Sequence, residues 1–287
     1  MSEEQTRHDP YDEGTPELDE QERSRRVITL LSDFGTDDNS VAVMKGVIFG
    51  VNSEVHIVDI SHSIEPYNIE VGAEILMAAY HYFPRGTIHV AVVDPGVGGD
   101  RRGILVATEN YFFVGPDNGI FSYIYEDPGF RWVRDLRAVD FFLEKVSSTF
   151  HGRDIFAPVA GYLSAGEDPE DFGPPIDDPV KLRISQSHVR PGGGIDGEVI
   201  YVDHFGNLIT NICSAALEAL GANVQIAIGS ERIAGIQPSY AQAPPQTLLA
   251  AINSFEVLEI AVNQGNAAEQ LQAGAGTPVR VNISAGG

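Results

Sequence analysis

The chain has a single cysteine, Cys213, in 287 residues. One thiol cannot build a disulfide framework or a cysteine-rich metal centre, and the cytosol is the expected compartment. Lysine is nearly as scarce: Lys45, Lys145 and Lys181 stand among 18 basic residues, against 41 acidic ones, for a net charge of −23. So acidic a surface repels nucleic-acid phosphates and anionic membranes, so neither is an expected partner. The acidic excess with few lysines also points to a halophile's cytosol, where salt screens the self-repulsion. No apolar run approaches the roughly 18 residues of a membrane span. The polar, acidic start holds no apolar signal-peptide core.

Several catalytic signatures are missing as well. No HExxH or two-His-plus-carboxylate spacing supports a zinc site, and no GxSxG elbow supports Ser-His-Asp catalysis. "GVGG" at 96–99 has neither the dinucleotide spacing nor the terminal Lys-Ser/Thr of a P-loop. "SDFG" (32–35) and "HGRD" (151–154) lack the surrounding kinase patterns.

What is present is a chain that is 43% hydrophobic, enough for one large or two ordinary domains. Residues 1–26 are rich in Glu, Asp, Gln and Arg and are expected to form a disordered acidic tail. Patterning starts at "VITLLS" (27–32), an apolar run that reads as a buried strand. "SVAVMKGVIFGV" (40–51) follows with helical spacing, Val41, Met44, Val47, Ile48 and Val51 lying near one face. "VHIVDISH" (55–62) reads as a strand, "IEVGAEILMAAYHYF" (69–83) as a helix, and "TIHVAVVDPGVGG" (87–99) as a strand and glycine loop. Strands alternating with helices predict an α/β domain over 27–188 with a mainly parallel central sheet. Ligands bind beyond the carboxyl ends of such strands, and Asp33, His62 and Asp94 each follow one.

The texture changes near residue 190. "VRPGGGI" (189–195) opens an expected linker over 189–196. Short β-rich runs follow at 197–212, 224–229, 257–263 and 278–284, predicting a small C-terminal β-barrel domain over 197–287. "SYAQAPPQ" (239–246) reads as a loop.

Taken singly, the polar motifs have plain readings. "DPG" (94–96) is a β-turn, and Arg101-Arg102 a surface pair. "GPDNG" (115–119) is a turn whose Asp or Asn caps a following helix. "TFHGRD" (149–154) is a capped helix start. Together they form a more specific set. "LLSDFG", "VDISHSI", "VAVVDPGVGGDRR", "PDNGIFS", "SSTFHGRDIFAP" and "YVDHFGNLITNI" occur in this order. The set resembles the S-adenosylmethionine hydroxide adenosyltransferase family, formerly a domain of unknown function, over about residues 27–285. That family is related to the fluorinating and chlorinating enzymes that use the same compound.

The resemblance implies an α/β domain, a C-terminal β-barrel, and a homotrimer with the substrate site between subunits. It implies hydrolysis of S-adenosylmethionine to adenosine and L-methionine, with the compound as substrate and with no cofactor or metal. The family's Asp-Arg-His triad falls on Asp94, Arg101 and His151. By the same resemblance Asp33 bonds the ribose hydroxyls and Tyr67 packs on the nucleoside, where the halogenases have Trp. Thr149 and Phe150 line the reacting centre. Asp203 and Asn207 serve the methionine amine and adenine edge, Phe205 stacks on adenine, and Ser254 is a candidate for the methionine end. The halogenating relatives carry a tyrosine at the place of Asp94 and a serine at that of Gly152, and lack the histidine found at 151. Water is therefore the implied nucleophile. The competing readings are a catalytically silent adenosine or S-adenosylmethionine binding module and a halogenase.

Overall fold

The computed structural model describes residues 26–221 and 223–283. Nearly all of the expected tail lies outside them. Its last residue, Arg26, donates to Leu163 O and accepts from His56 N, so it is tied to the folded chain. The chain divides into two compact units, up to Arg183 and from Ile184.

The first unit is built on a seven-stranded sheet in the order β2-β1-β3-β5-β4-β6-β7. Its strands are β1 (Val27–Ser32), β2 (His56–Ser61), β3 (Ile88–Val92), β4 (Gly103–Thr108), β5 (Phe112–Pro116), β6 (Phe130–Asp135) and β7 (Pro175–Ile176). Three helices accompany it: α1 (Ser40–Val51), α2 (Ile69–Ala79) and α3 (Ala157–Ala165). The sheet is mixed. Strands β2, β1, β3 and β5 are parallel, as the alternation of strands and helices predicts. Strands β4, β6 and β7 run antiparallel to their neighbours: β4 and β5 are joined by a short turn, whereas β6 and β7 are joined by the long segment 136–174 that carries α3. Alternation along the strands feeds two apolar layers. Ile28 and Leu30 of β1 join Met44 and Ile48 of α1 and Val159 and Leu163 of α3. Leu31, next in the chain, joins Leu76 of α2 and Phe113 of β5.

Two local expectations change. No helix follows "GPDNG": Gly119 takes φ +99° and the chain runs through turns into a single 3₁₀ turn, Ile124–Glu126. "HGRD" opens not on an α-helical turn but on a π-helical one, Gly152–Phe156, which continues into α3. The π bond runs from Ala157 N to Gly152 O, and the next residue, Pro158, has no N–H to give Asp154 O. Leu143 N supplies the missing donor to Asp154 O at 2.9 Å.

The second unit is a nearly closed antiparallel barrel. Its strands are β8 (His188–Val189), β9 (Ile195–Val202), β10 (Leu208–Cys213), β11 (Val224–Ile228), β12 (Glu231–Ala234), β13 (Leu248–Ile252), β14 (Val257–Val262) and β15 (Pro278–Ile283). The main order is β12-β11-β15-β9-β10-β14-β13, and β8 pairs with β9. A bridge from Gln237, just past β12, to Ala251 of β13 narrows the remaining gap. Residues 189–196 turn back within this unit: Arg190 N donates to Gly194 O at 2.9 Å, joining β8 to β9. Ile195, Val199, Leu208, Ile226, Leu258 and Ile260 fill the interior.

Candidate active site

In the first unit, the site is laid out along the carboxyl ends of three neighbouring parallel strands. Asp33 follows β1, His62 follows β2 and Asp94 follows β3 by two residues. The loop after β3 then folds through two turns, Val97 N to Asp94 O at 3.3 Å and Gly99 N to Gly96 O at 3.1 Å, and returns Arg101 to Asp94. Gly98 makes this possible. It takes φ +76°, and a Cβ there would stand 2.1 Å from Ser148 O. The loop therefore touches the backbone just before Thr149, bringing "DPGVGGDR" and "TFHGRD" together. Gly98→Ala is expected to cost ~2 kcal/mol or more of stability from the strained φ and the clash. Paired melting curves and turnover assays check this; an unchanged melting temperature and unchanged activity would contradict it.

Asp94, Arg101 and His151 form one connected cluster. Arg101 Nε lies 3.1 and 3.0 Å from the two Asp94 carboxylate oxygens, and Nη2 also donates to Asp94 Oδ2. Nη2 further approaches His151 Nδ1 at 2.8 Å. The Asp94 and Arg101 side chains are only 4% and 11% exposed, so this ion pair is largely withdrawn from water. The Arg101 guanidinium lies 5.3 Å from the Phe156 ring centroid. The polarity of the cluster follows from chemistry. Guanidinium has only donors, so His151 Nδ1 must accept, and the neutral ring carries its proton on Nε2. The histidine's pKa is lowered, first by burial and then by the charge on Arg101. Both causes favour the neutral ring.

The segment that carries His151 is fixed by its neighbours. Ser147 Oγ accepts from Phe150 N at 3.1 Å, and the fully buried Asp154 accepts from Ser147 N at 2.7 Å. Arg153 Nε donates to Asp154 at 2.5 Å. "TFHGRD" is thus a braced helix start and a holder of His151 at once. Thr149 is exposed. Phe150 is half-buried, with its ring edge-on to Phe34 at 5.6 Å. A Cβ at Gly152 would meet Met44 Sδ at 3.2 Å and the Phe34 ring at 3.3 Å, so a larger residue must displace them.

Asp33 Oδ2 accepts from Tyr67 N at 2.8 Å. Tyr67 sits at φ +69°, an uncommon conformation for a bulky residue, and its side chain is 71% exposed. The ring is thus held outward, at the strand-end edge, by a backbone in the left-handed region. Arg102, read as half of a surface pair, instead bonds Asp117 at 2.8 Å and Asp178 at 2.7 Å.

The second unit gathers its four predicted residues around one cavity of about 790 Å³, lined by Asp203, Phe205, Asn207 and Ser254 among others. Asp203 holds the "DHFGN" turn: Oδ1 accepts from Phe205 N and Asn207 N, both at 2.8 Å, and Oδ2 from Asn207 Nδ2 at 2.9 Å. That turn presents Phe205 with 72% exposure. Among the lining residues not anticipated are Tyr240, Phe255 and Glu259. The Tyr240 hydroxyl donates to Glu259 Oε1. Burial raises the carboxyl pKa of Glu259, with the Tyr240 bond opposing. A lone acid inside the apolar strand "VLEIAV" was the available signal for Glu259. Tyr240 lay hidden in a stretch that reads only as loop.

An α/β unit with a carboxylate-guanidinium-imidazole cluster at its strand ends, and a barrel with an aromatic cavity, together define a small-molecule enzyme class. Residues 28–173 match the SAM hydroxide adenosyltransferase N-terminal domain, and residues 197–280 match its C-terminal domain. The chain belongs to this family. It is 36% identical over 256 residues to the (R)-S-adenosyl-L-methionine hydrolase of Salinispora arenicola, covering 88% of this chain and 97% of that protein. It is 29% identical over 224 residues to a fluorinase of Actinopolyspora mzabensis, covering 69% and 75%. A crystal structure of a conserved protein from Thermotoga maritima superimposes with a TM-score of 0.84 at 33% identity, over 88% of this chain and 99% of that one.

Proposed function

We propose that the protein hydrolyses S-adenosyl-L-methionine to adenosine and L-methionine, by attack of a water-derived oxygen on the ribose 5′-carbon. The observation that carries this reading is the Asp94-Arg101-His151 cluster, in a chain matching the family in both units. The leaving group is a neutral thioether, so no general acid is required. The nucleophile is the difficulty: free hydroxide at pH 7 costs about 12 kcal/mol, from roughly nine pK units at 1.36 each.

The cluster's polarity suggests how that cost is met. Asp94 accepts from two nitrogens of Arg101, Nε shared between both oxygens and Nη2, which makes it an anchor for the guanidinium rather than a base. His151 has its Nδ1 lone pair engaged by Arg101 and presents Nε2–H. In this arrangement His151 donates to the attacking oxygen instead of taking its proton. The fixed positive charge of Arg101, one hydrogen bond behind the ring, favours an anionic oxygen there. Hydroxide captured from solvent is then the nucleophile, and in-line placement supplies much of the remaining rate.

The other assignments belong to the same proposal. Asp33, Tyr67, Thr149 and Phe150 meet the ribose and reacting carbon; Asp203, Phe205, Asn207 and Ser254 meet adenine and methionine. The enzyme is taken to be a cytoplasmic homotrimer with its sites between subunits, working without metal or cofactor. Among the described residues, no group of three or more His, Cys, Asp or Glu is arranged to hold a metal ion, and no helix is long and apolar enough to cross a membrane. The tight fit at Gly152 weighs against a halide-binding serine there, and the connected cluster weighs against a silent binding module. Incubation of the purified protein with S-adenosylmethionine is expected to yield adenosine and methionine in equal amounts. Binding without turnover would favour the silent module.

The net charge of −23 supports a saline cytosol. The melting temperature is expected to rise with sodium or potassium chloride up to about 1 M, where the Debye length falls to ~3 Å. A flat melting temperature from low to high salt would remove that part of the reading.

A further inference from the structure

His62 is not used by the mechanism above, yet it lies at the same sheet edge and is 6% exposed. Its Nδ1 is 2.7 Å from the hydroxyl of Ser32, itself 2% exposed. The Ser32 oxygen also accepts from Phe34 N at 3.3 Å. His62 O accepts from Gly35 N at 2.8 Å. Ring and backbone of one residue therefore grip the turn that carries Asp33 and Phe34. On the far side of the ring, Nε2 is 3.1 Å from Asp59 Oδ1 without the alignment of a hydrogen bond, and Asp59 Oδ2 is held by Lys45 Nζ at 2.6 Å. The negative charge beside Nε2 favours the ring proton there, which leaves Nδ1 as the acceptor. The Ser32 hydroxyl then donates to Nδ1 while accepting from Phe34 N, which fixes the direction of the relay. Ser32 is too deeply buried to be a nucleophile, so the resemblance to a Ser-His-Asp triad carries no acyl-transfer chemistry.

The gripped turn reaches the reaction by two routes. Asp33 holds the strained Tyr67 backbone. The Phe34 ring packs edge-on to Phe150 and against Gly152, the residue after His151. We propose that His62 is a positioning residue for the reaction: through Ser32 it sets the Asp33-Phe34 turn, and with it the ribose-facing carboxylate and the floor beneath the His151 segment. This inference rests on the hydrolase reading.

The test compares His62→Leu, His62→Asn and Ser32→Ala. Leucine fills the space without an acceptor. Asparagine places an amide oxygen where Nδ1 stood and restores the bond from Ser32. For His62→Leu we expect KM for S-adenosylmethionine to rise about tenfold with a smaller fall in kcat, because ribose contacts are made in the ground state as well. Ser32→Ala is expected to match it, and the double variant to lose no more than about the same factor, since one bond is removed in each case. His62→Asn is expected to return KM to within about threefold of the wild type. Amide exchange at Phe34 and Gly35 gives a readout independent of turnover: faster in His62→Leu, near wild type in His62→Asn. Should His62→Leu fail to fold, the smaller Ser32→Ala change carries the same expectations. Unchanged KM and exchange in Ser32→Ala, or no rescue by asparagine in a folded protein, would overturn the proposal. A wild type that forms no adenosine would overturn the hydrolase reading instead, while the exchange comparison would still decide whether His62 positions the turn.

Discussion

Arg101→Ala should lower kcat for S-adenosylmethionine hydrolysis by about 10³-fold or more, with KM changed far less. In the proposed mechanism Arg101 contributes the positive charge behind the nucleophile and also orients His151 through the 2.8 Å contact to Nδ1. Both effects act on charge that develops near the transition state, where one preorganised donor is worth about 3–4 kcal/mol. His151→Ala should show the same pattern with a loss of about 10²–10³-fold, since it removes the donor that meets the attacking oxygen. The double variant should lose about the same factor as Arg101→Ala alone, because the two groups share one oxygen. Full multiplicativity would mean independent roles, with Arg101 binding substrate. Stability must be measured alongside. Arg101→Ala strands Asp94, whose side chain is 4% exposed, and unpairing a buried charge costs about 3–5 kcal/mol. Arg101→Ala/Asp94→Ala, which removes both charges, should recover much of that stability and none of the activity.

The pH dependence distinguishes hydroxide capture from general-base catalysis by His151. The histidine's pKa is depressed below its ordinary value, by burial first and by Arg101 second. As a base it would be mostly in its active, neutral form by neutral pH, and the rate would level off from there. In the arrangement described, the neutral ring is a donor and the nucleophile is hydroxide. The logarithm of kcat/KM should therefore climb with a slope near one from about pH 7 to pH 9, roughly tenfold per unit, until the bound water is itself ionised. A rate that is flat across that range would restore His151 as the base. The same lowered pKa gives a sign at acid pH. Protonating His151 removes the acceptor for Arg101 and places a second positive charge beside it, so activity should fall as pH drops below the depressed value.

Much of this was legible in the sequence because local pattern and tertiary demand agreed. "VITLLS" and "TIHVAVV" are parallel strands buried along nearly their whole length, whereas "VHIVDISH" is the parallel edge strand and stays largely exposed or half-buried. Asp33, His62 and Asp94 share an edge because polar residues that end parallel strands must. Other features depend on contacts between segments distant in the chain. Gly98 looked like a turn glycine, but its requirement comes from Ser148 O, fifty residues on. The antiparallel half of the sheet was hidden because short turns at 109–111 carry no periodicity. At the π-helical turn after His151, Asp154 O, which Pro158 cannot serve, is satisfied by a donor at Leu143 that no local rule supplies. In the barrel, Asp203, Phe205 and Asn207 were found through their motif, whereas Tyr240 and Glu259 meet only after the strands pair.

The central claim is that oxygen from water attacks the ribose 5′-carbon directly. Incubation of the enzyme with S-adenosylmethionine in ¹⁸O-labelled water, in chloride buffer, tests it in a single mass spectrum. The account predicts adenosine carrying one ¹⁸O at the 5′-hydroxyl, unlabelled methionine, and no 5′-chloro product. Unlabelled adenosine, or a 5′-halo nucleoside in its place, would contradict it.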